Sequence, residues 1–141
     1  MASKASQLDH LKSVPLFAGL NKKQLQLIAK SSDEVSLAAG DVLVDQGQTG
    51  REAFLLLAGQ VTVKRNGRKV ATLGPGDCVG ELALLDHGPR TATVVADGDM
   101  TLFVLGARQF AGVIDEVPAL SRKVMAYLAT RIRELDSKIF T

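Results

Sequence analysis

The sequence predicts an α+β domain in which an antiparallel β-roll is flanked by helices at both ends. Three observations predict it. Apolar residues recur at helical spacing near both termini, and short apolar stretches alternating with turn signals fill the middle from Glu34 to Leu105. Between "VTVKR" and "RKVATL", Asn66-Gly67 is a two-residue hairpin signal, because both central residues of such a turn need positive φ. With 141 residues, 46% of them hydrophobic and 23% charged, the chain suits one soluble domain with a real core.

The elements follow in order. Residues 1–32 are read as an N-terminal helical segment: a tail carrying His10, a short apolar plug "VPLF" at 14–17, and a helix over "LNKKQLQLIAKSS". In that helix Leu20, Leu25, Leu27 and Ile28 fall roughly on one side, with Asn21 as its N-cap. Residues 33–105 are read as the roll. Its strands are carried by "VSLAA", "VLVD", "AFLLL", "VTVKR", "VATL", "TATVVA" and "TLFVL", separated by glycine-, proline- and aspartate-rich turns. Many short strands at this spacing point to a small antiparallel sandwich or barrel. Residues 106–141 return to helix. "ARQFAGVIDEV" ends before Pro118, and a longer helix begins with Pro118 near its first turn. The longer helix carries a stripe of Leu120, Val124, Leu128, Ile132, Leu135 and Ile139.

Composition removes several classes of function. Net charge is +2 with both signs interspersed, which is no nucleic-acid footprint. The longest apolar run, "AFLLLA", is far short of a bilayer span, and the N-terminus has no run of signal-peptide length, so a cytoplasmic protein is expected. The single cysteine, Cys78, fits a reducing compartment and is read as a small apolar residue, not a nucleophile. Two histidines, His10 and His87, are too few and too far apart for a metal site, so no metal and no cofactor are expected. Ser13, Ser31 and Ser32 sit in no nucleophile context. "GPGDCVG" has the spacing of a glycine-rich loop, but only "ELALLD" follows it, and a dinucleotide fingerprint needs a full helix in a parallel βαβ unit.

One stretch asks for a ligand: "GELALLDHGPRTATV", residues 80–94. A short helix at "ELALL" interrupts the run of strands and turns the amides around Leu82 and Ala83 toward the roll, where helix-end N–H groups favour an anion. Gly80 lets backbone approach closely, and Ala83 removes bulk at the same spot. Arg90, behind Pro89, suits bidentate pairing with a phosphate. Glu81 repels phosphate and accepts from hydroxyls. An anion at one end and a diol at the other describe a ribose phosphate. Taken singly, Glu81 as a helix cap and Arg90 as a surface residue or as Glu81's ion partner are the plainer readings. Their joint pattern outweighs them.

Residues 76–96, "GDCVGELALLDHGPRTATVVA", closely resemble the phosphate-binding cassette of cyclic nucleotide-binding domains, and the resemblance runs over nearly the whole chain. "AAGDVLVDQGQTGREAFLLLAGQVTVKRNG" looks like the first half of the same roll, and both helical regions fall where the family has them. The resemblance implies that Glu81, with the Gly80 backbone, takes the ribose 2′-hydroxyl. It implies that Arg90 and the Ala83 amide take the cyclic phosphate, with Thr91 and Ala92 completing that wall. Aligned on Phe110 and Pro118, relatives that cover the base with their last helix place the contacts near Leu135 and Asp136.

The expected function is a regulatory sensor of a 3′,5′-cyclic nucleotide that signals through movement of the last helix, not an enzyme. The cassette offers a binding pair and no general acid or base. cAMP is ranked narrowly ahead of cGMP on the habit of the family, although the acceptor-only Asp136 and the Thr91 hydroxyl both suit guanine donors. A homodimer is expected through residues of about 118–139, on the outer edge of the helical stripe. No effector is read within the 141 residues, so the chain is read as acting on an effector protein in trans, as a small stand-alone receptor, or as part of something longer, with neither nucleic acid nor membrane as a partner. The alternative is a structural or protein-interaction module whose pocket is degenerate.

Overall fold

The computed structural model describes residues 4–86 and 88–140; His87 and Thr141 lie outside them. The stretch read as an N-terminal tail is a helix, α1 (Lys4–Ser13). Its apolar periodicity is thin, and tertiary burial supplies what the pattern lacks: Leu11 is 2% exposed and Val14, just beyond, is fully buried. The plug at Pro15–Phe17 is a 3₁₀ turn that buries Leu16 and Phe17. Helix α2 (Lys22–Ser31) starts at Asn21 with a full capping box: the Gln24 amide donates to Asn21 Oδ1 at 2.8 Å, and the Asn21 amide donates to Gln24 Oε1 at 3.0 Å. Leu25 and Ile28 face inward from it.

Eight strands follow among the described residues: β1 (Asp33–Leu37), β2 (Val42–Val44), β3 (Glu52–Ala58), β4 (Val61–Arg65), β5 (Arg68–Leu73), β6 (Cys78–Val79), β7 (Thr93–Ala96) and β8 (Met100–Gly106). They form two four-stranded antiparallel sheets, ordered β1-β8-β3-β6 and β2-β7-β4-β5. A single short helix, α3 (Ala83–Asp86), sits between β6 and β7. Helices α4 (Ala107–Glu116) and α5 (Ala119–Phe140) close the described chain, the break between them falling at Pro118 as its ring geometry requires. At the β4–β5 turn, Asn66 and Gly67 have φ of 54° and 79°, the left-handed pair that the hairpin signal demands.

Strand β3 explains the layering. Its five central residues are all buried, because both of its faces are covered. Ala53, Leu55 and Leu57 pack against α1, the 3₁₀ turn, α2, α4 and the start of α5 through Leu11, Phe17, Ile28, Phe110 and Leu120. Phe54 and Leu56 point the other way, into the core between the sheets with Val61, Val94 and Leu102. Alternation therefore reads as a continuous apolar run here, and as half-exposed strands elsewhere. The second half of α5 leaves the body of the domain, and residues 131–137 are exposed throughout.

Candidate functional site

Strand β6 delivers the chain to Gly80, whose φ of +74° is a left-handed conformation. A methyl there would collide with Nη1 of Arg90, and one at Gly50 would meet the Cδ, Nε and Cζ of the same side chain. The guanidinium thus lies along a floor of two glycines. Arg90 is held from both ends. Its amide donates to the Gln48 carbonyl at 2.7 Å, and its own carbonyl accepts from Gly47 at 2.8 Å. Its Nη2 donates to the Glu52 carbonyl at 2.8 Å, and its Cζ sits 5.8 Å from the Phe54 ring centroid. Burial lowers the basicity of the guanidinium, while the Glu52 carboxylate acts to raise it. Glu52 and Phe54 are not among the residues the cassette motif singles out, and Gly50 enters the sequence only as the end of a turn signal at Gly47–Gly50. The turn signal at Gly47–Gly50 was the clue to a loop that clamps the 88–90 backbone, seen also in the Thr49–Pro89 bridge.

Glu81 makes no ion pair with Arg90 among the described residues; the ion pair found there is Arg131–Glu134, on α5. Its Oε2 is buried without a hydrogen-bond partner. Burial pushes the carboxyl above the ordinary glutamate range, opposed by the Leu16 backbone, the Arg131 charge and the Tyr127 hydroxyl. The same carboxylate, after burial, helps to raise the Tyr127 phenol. Tyr127, on α5, therefore faces Glu81, a link that sequence spacing could not supply. Burial, together with the charges of Glu81 and Asp77, pushes the Cys78 thiol up to about 12, so it is a neutral, inert group in this wall.

The expected anion site at the start of α3 differs in one detail. The Ala83 amide donates to the Gly80 carbonyl at 3.0 Å, because a four-residue helix opens on a tight i to i−3 turn. A phosphate taking that amide would have to share or displace this bond. Leu82 is exposed and Ala83 buried, and both line the cavity described next; Ala92, 8% exposed, lines its neighbour.

Two adjoining cavities meet at Gly80, Arg90 and Thr91. The first, about 320 Å³, also touches Glu81, Ala83 and Asp86. The second, about 190 Å³, runs into the roll between Val44, Val63, Leu73 and Val94, with Arg65 at its wall. Leu135 and Asp136 line neither; both stand exposed on the outer part of α5. A wider hollow of about 600 Å³ between α1 and α2 is lined by Lys30 and Glu34 among glutamines and apolar side chains, without an arginine or a glycine floor. A glycine-floored arginine and a buried, unpartnered carboxylate oxygen converge on the smaller pair, which outweighs volume.

The sequence and the fold have counterparts among known proteins. A family model described as the cyclic nucleotide-binding domain matches residues 34–117. The chain belongs to that family. It is 32% identical over 134 residues to the cyclic AMP receptor protein of Thermus thermophilus, covering 92% of this chain and 62% of that one. It is 31% identical over 130 residues to a cAMP-dependent protein kinase regulatory subunit of Hypocrea atroviridis, covering 91% of this chain and 28% of the relative. Among solved structures, the N-terminal domain of a transcriptional regulator from Streptomyces coelicolor superposes with a TM-score of 0.87 at 33% identity, covering 92% of this chain and 94% of that one. The chain spans less than two thirds of the length of the two curated relatives. The α+β architecture, with its roll between helical ends, is the family fold.

Proposed function

We propose that this cyclic nucleotide-binding domain is a working sensor of a 3′,5′-cyclic nucleotide, with cAMP ranked ahead of cGMP. The observation that carries the reading is the pairing on one cavity of Arg90, pre-oriented over Gly50 and Gly80, with the unpartnered buried oxygen of Glu81. A cyclic phosphate satisfies the first and a ribose 2′-hydroxyl satisfies the second. The rank of cAMP leans on the relatives, two of which carry that nucleotide in their names. In this reading Glu81 and Arg90 hold a ligand and carry out no reaction on it, and the domain is a binding module that acts in the cytoplasm, without cofactor or metal.

Signal output in this reading runs through α5, which reaches the site by Tyr127 and carries Leu135 and Asp136 on its exposed half. Contact of Leu135 and Asp136 with the base requires that half to fold over the cavities. The same helix is proposed to form the homodimer, since Met125, Ile132 and Leu135 are 59, 66 and 52% exposed. An effector in trans would read the change. Isothermal titration of the wild-type chain with cAMP and cGMP tests the function directly: saturable binding of one nucleotide per chain is expected. Absence of heat and of competition with both nucleotides would leave the degenerate-pocket alternative standing.

A further inference from the structure

Charges of both signs alternate along most of this chain, with one exception. Between Glu52 and Asp77 there are four cations, Lys64, Arg65, Arg68 and Lys69, and no carboxylate. All four sit at the end of the β4–β5 hairpin, where residues 64–70 are exposed without a break. The ladder sets them in like-charged pairs, Lys64 opposite Lys69 and Arg65 opposite Arg68. Like charges directly opposite on an antiparallel pair destabilise it. No carboxylate relieves them, since the ion pair found among the described residues is Arg131–Glu134. Guarding a sheet edge is the plainer role for such residues, and β5 is an edge strand. That role does not extend to Lys64 and Arg65, because β4 is paired on both sides, with β5 and β7. The hairpin is also held from behind. Arg65 Nε donates to the Thr91 carbonyl at 3.2 Å, Gln46 Nε2 donates to Asn66 Oδ1 and the Asn66 amide donates to Gln46 Oε1, both at 2.8 Å. The backbone that carries the cations is thus fixed in advance, which lowers the ordering cost of any contact they make.

We infer that the end of the β4–β5 hairpin is a docking surface for an acidic, extended segment of a partner protein. Carboxylates laid between the paired cations supply attraction and remove the repulsion across the ladder together. Successive strand residues face opposite sides, so Lys64 with Lys69 and Arg65 with Arg68 lie on opposite faces of the ribbon. A chain can run over the tip and reach both pairs, whereas a flat bilayer meets one face. The hairpin also has no aromatic side chain to sit at a headgroup boundary or to stack on a base. Its exposed apolar residue is Val70, 53% exposed, which the ladder skips between the Val63–Ala71 and Lys64–Lys69 pairs. Val70 offers the segment one apolar contact beside the charges. This surface stands apart from the sensor reading: Lys64, Arg68 and Lys69 line neither of the cavities that meet at Gly80.

The probe is a fluorescent peptide of about eight residues alternating glutamate with serine, which spans about 25 Å when extended. Anisotropy at physiological salt compares its binding to three chains. They are the wild type, Lys64→Gln/Arg68→Gln/Lys69→Gln, and Lys12→Gln/Lys22→Gln/Lys23→Gln, which removes the same charge at exposed positions outside the hairpin. The hairpin variant should bind about tenfold more weakly, the sum of several exposed ion contacts, and the control within about twofold of wild type. The hairpin variant should melt at or above the wild-type temperature, because its like-charged pairs are gone. Equal weakening in both variants would reduce the effect to net charge and overturn the inference, as would a wild type that does not bind the peptide. Phosphatidylserine vesicles and a mixed-sequence single-stranded DNA are run beside it. Hairpin-dependent binding to either that is tighter than binding to the peptide would refute the choice of partner.

Discussion

Replacing Arg90 by alanine is the perturbation that bears hardest on the site. In the free protein the guanidinium is already aimed: one bond to the Glu52 carbonyl, the Phe54 ring beneath it, and no room to swing across Gly50 or Gly80. Little of its attraction for a phosphate is therefore spent on ordering the side chain. Truncating one partner of a hydrogen-bonded charge pair costs about 2–5 kcal/mol. Arg90 is only partly buried, so solvent screens part of the charge and places the loss near the middle, about 3 kcal/mol or about 150-fold in Kd. The fold should lose less, about 1–2 kcal/mol, from one hydrogen bond and one weak cation–π contact. Arg90→Lys keeps the charge and loses the fork, and should fall between the two. Titration calorimetry with cAMP measures the affinity and a thermal melt checks the fold. A folded Arg90→Ala chain that binds within about threefold of wild type would refute the reasoning, because a contact worth so little leaves the phosphate elsewhere.

Three further outcomes are expected. Because Glu81 has a raised pKa when folded, its protonated form is favoured by folding, and the stability it lends at low pH is lost as pH rises through that folded value. A hydroxyl donor prefers the ionised acceptor, so nucleotide affinity should rise with pH over the same window and then level off; Glu81→Gln should flatten that part of the profile. Gly80→Ala should destabilise by about 1–2 kcal/mol through its left-handed φ, and weaken cAMP further than that by pushing the guanidinium aside, read by melting and titration together. Sedimentation should give a dimer for the wild type and a monomer for Ile132→Asp, since that position is exposed on α5 and one heptad from Met125; a monomeric wild type with and without nucleotide removes the dimer.

Much of this molecule was legible before its structure, for reasons visible in particular residues. Asn66-Gly67, the N-cap at Asn21 and the stop at Pro118 are local signals, satisfied within a few residues of themselves, and each holds. Helix α1 falls in the segment read as helical, but its own stretch is read there as a tail, because its stabilisation is not local: Leu11 is buried by the rest of the domain, and the Ser13 hydroxyl donates to the Gly76 carbonyl at 2.9 Å. At the candidate site, Glu81 and Arg90 are legible by motif, since they lie within one short stretch. Glu52 and Tyr127 were not, because one approaches across a sheet and the other from the last helix. The occupied amide of Ala83 escaped because a helix-dipole argument assumes a longer helix than four residues.

The position of Tyr127 opposite Glu81 makes that carboxylate common property of the cavity and of α5. In the proposed complex, whatever a ribose hydroxyl gains from the carboxylate depends on how the phenol and the Arg131 charge already act on it, and the converse holds with equal force. By thermodynamic reciprocity, a protein that grips α5 and draws Tyr127 away must alter nucleotide affinity by the same factor by which the nucleotide alters the grip. In the proposed sensor the traffic runs in both directions: an output partner on α5 would also be an input, and a cell could set the nucleotide threshold by the amount of partner it makes.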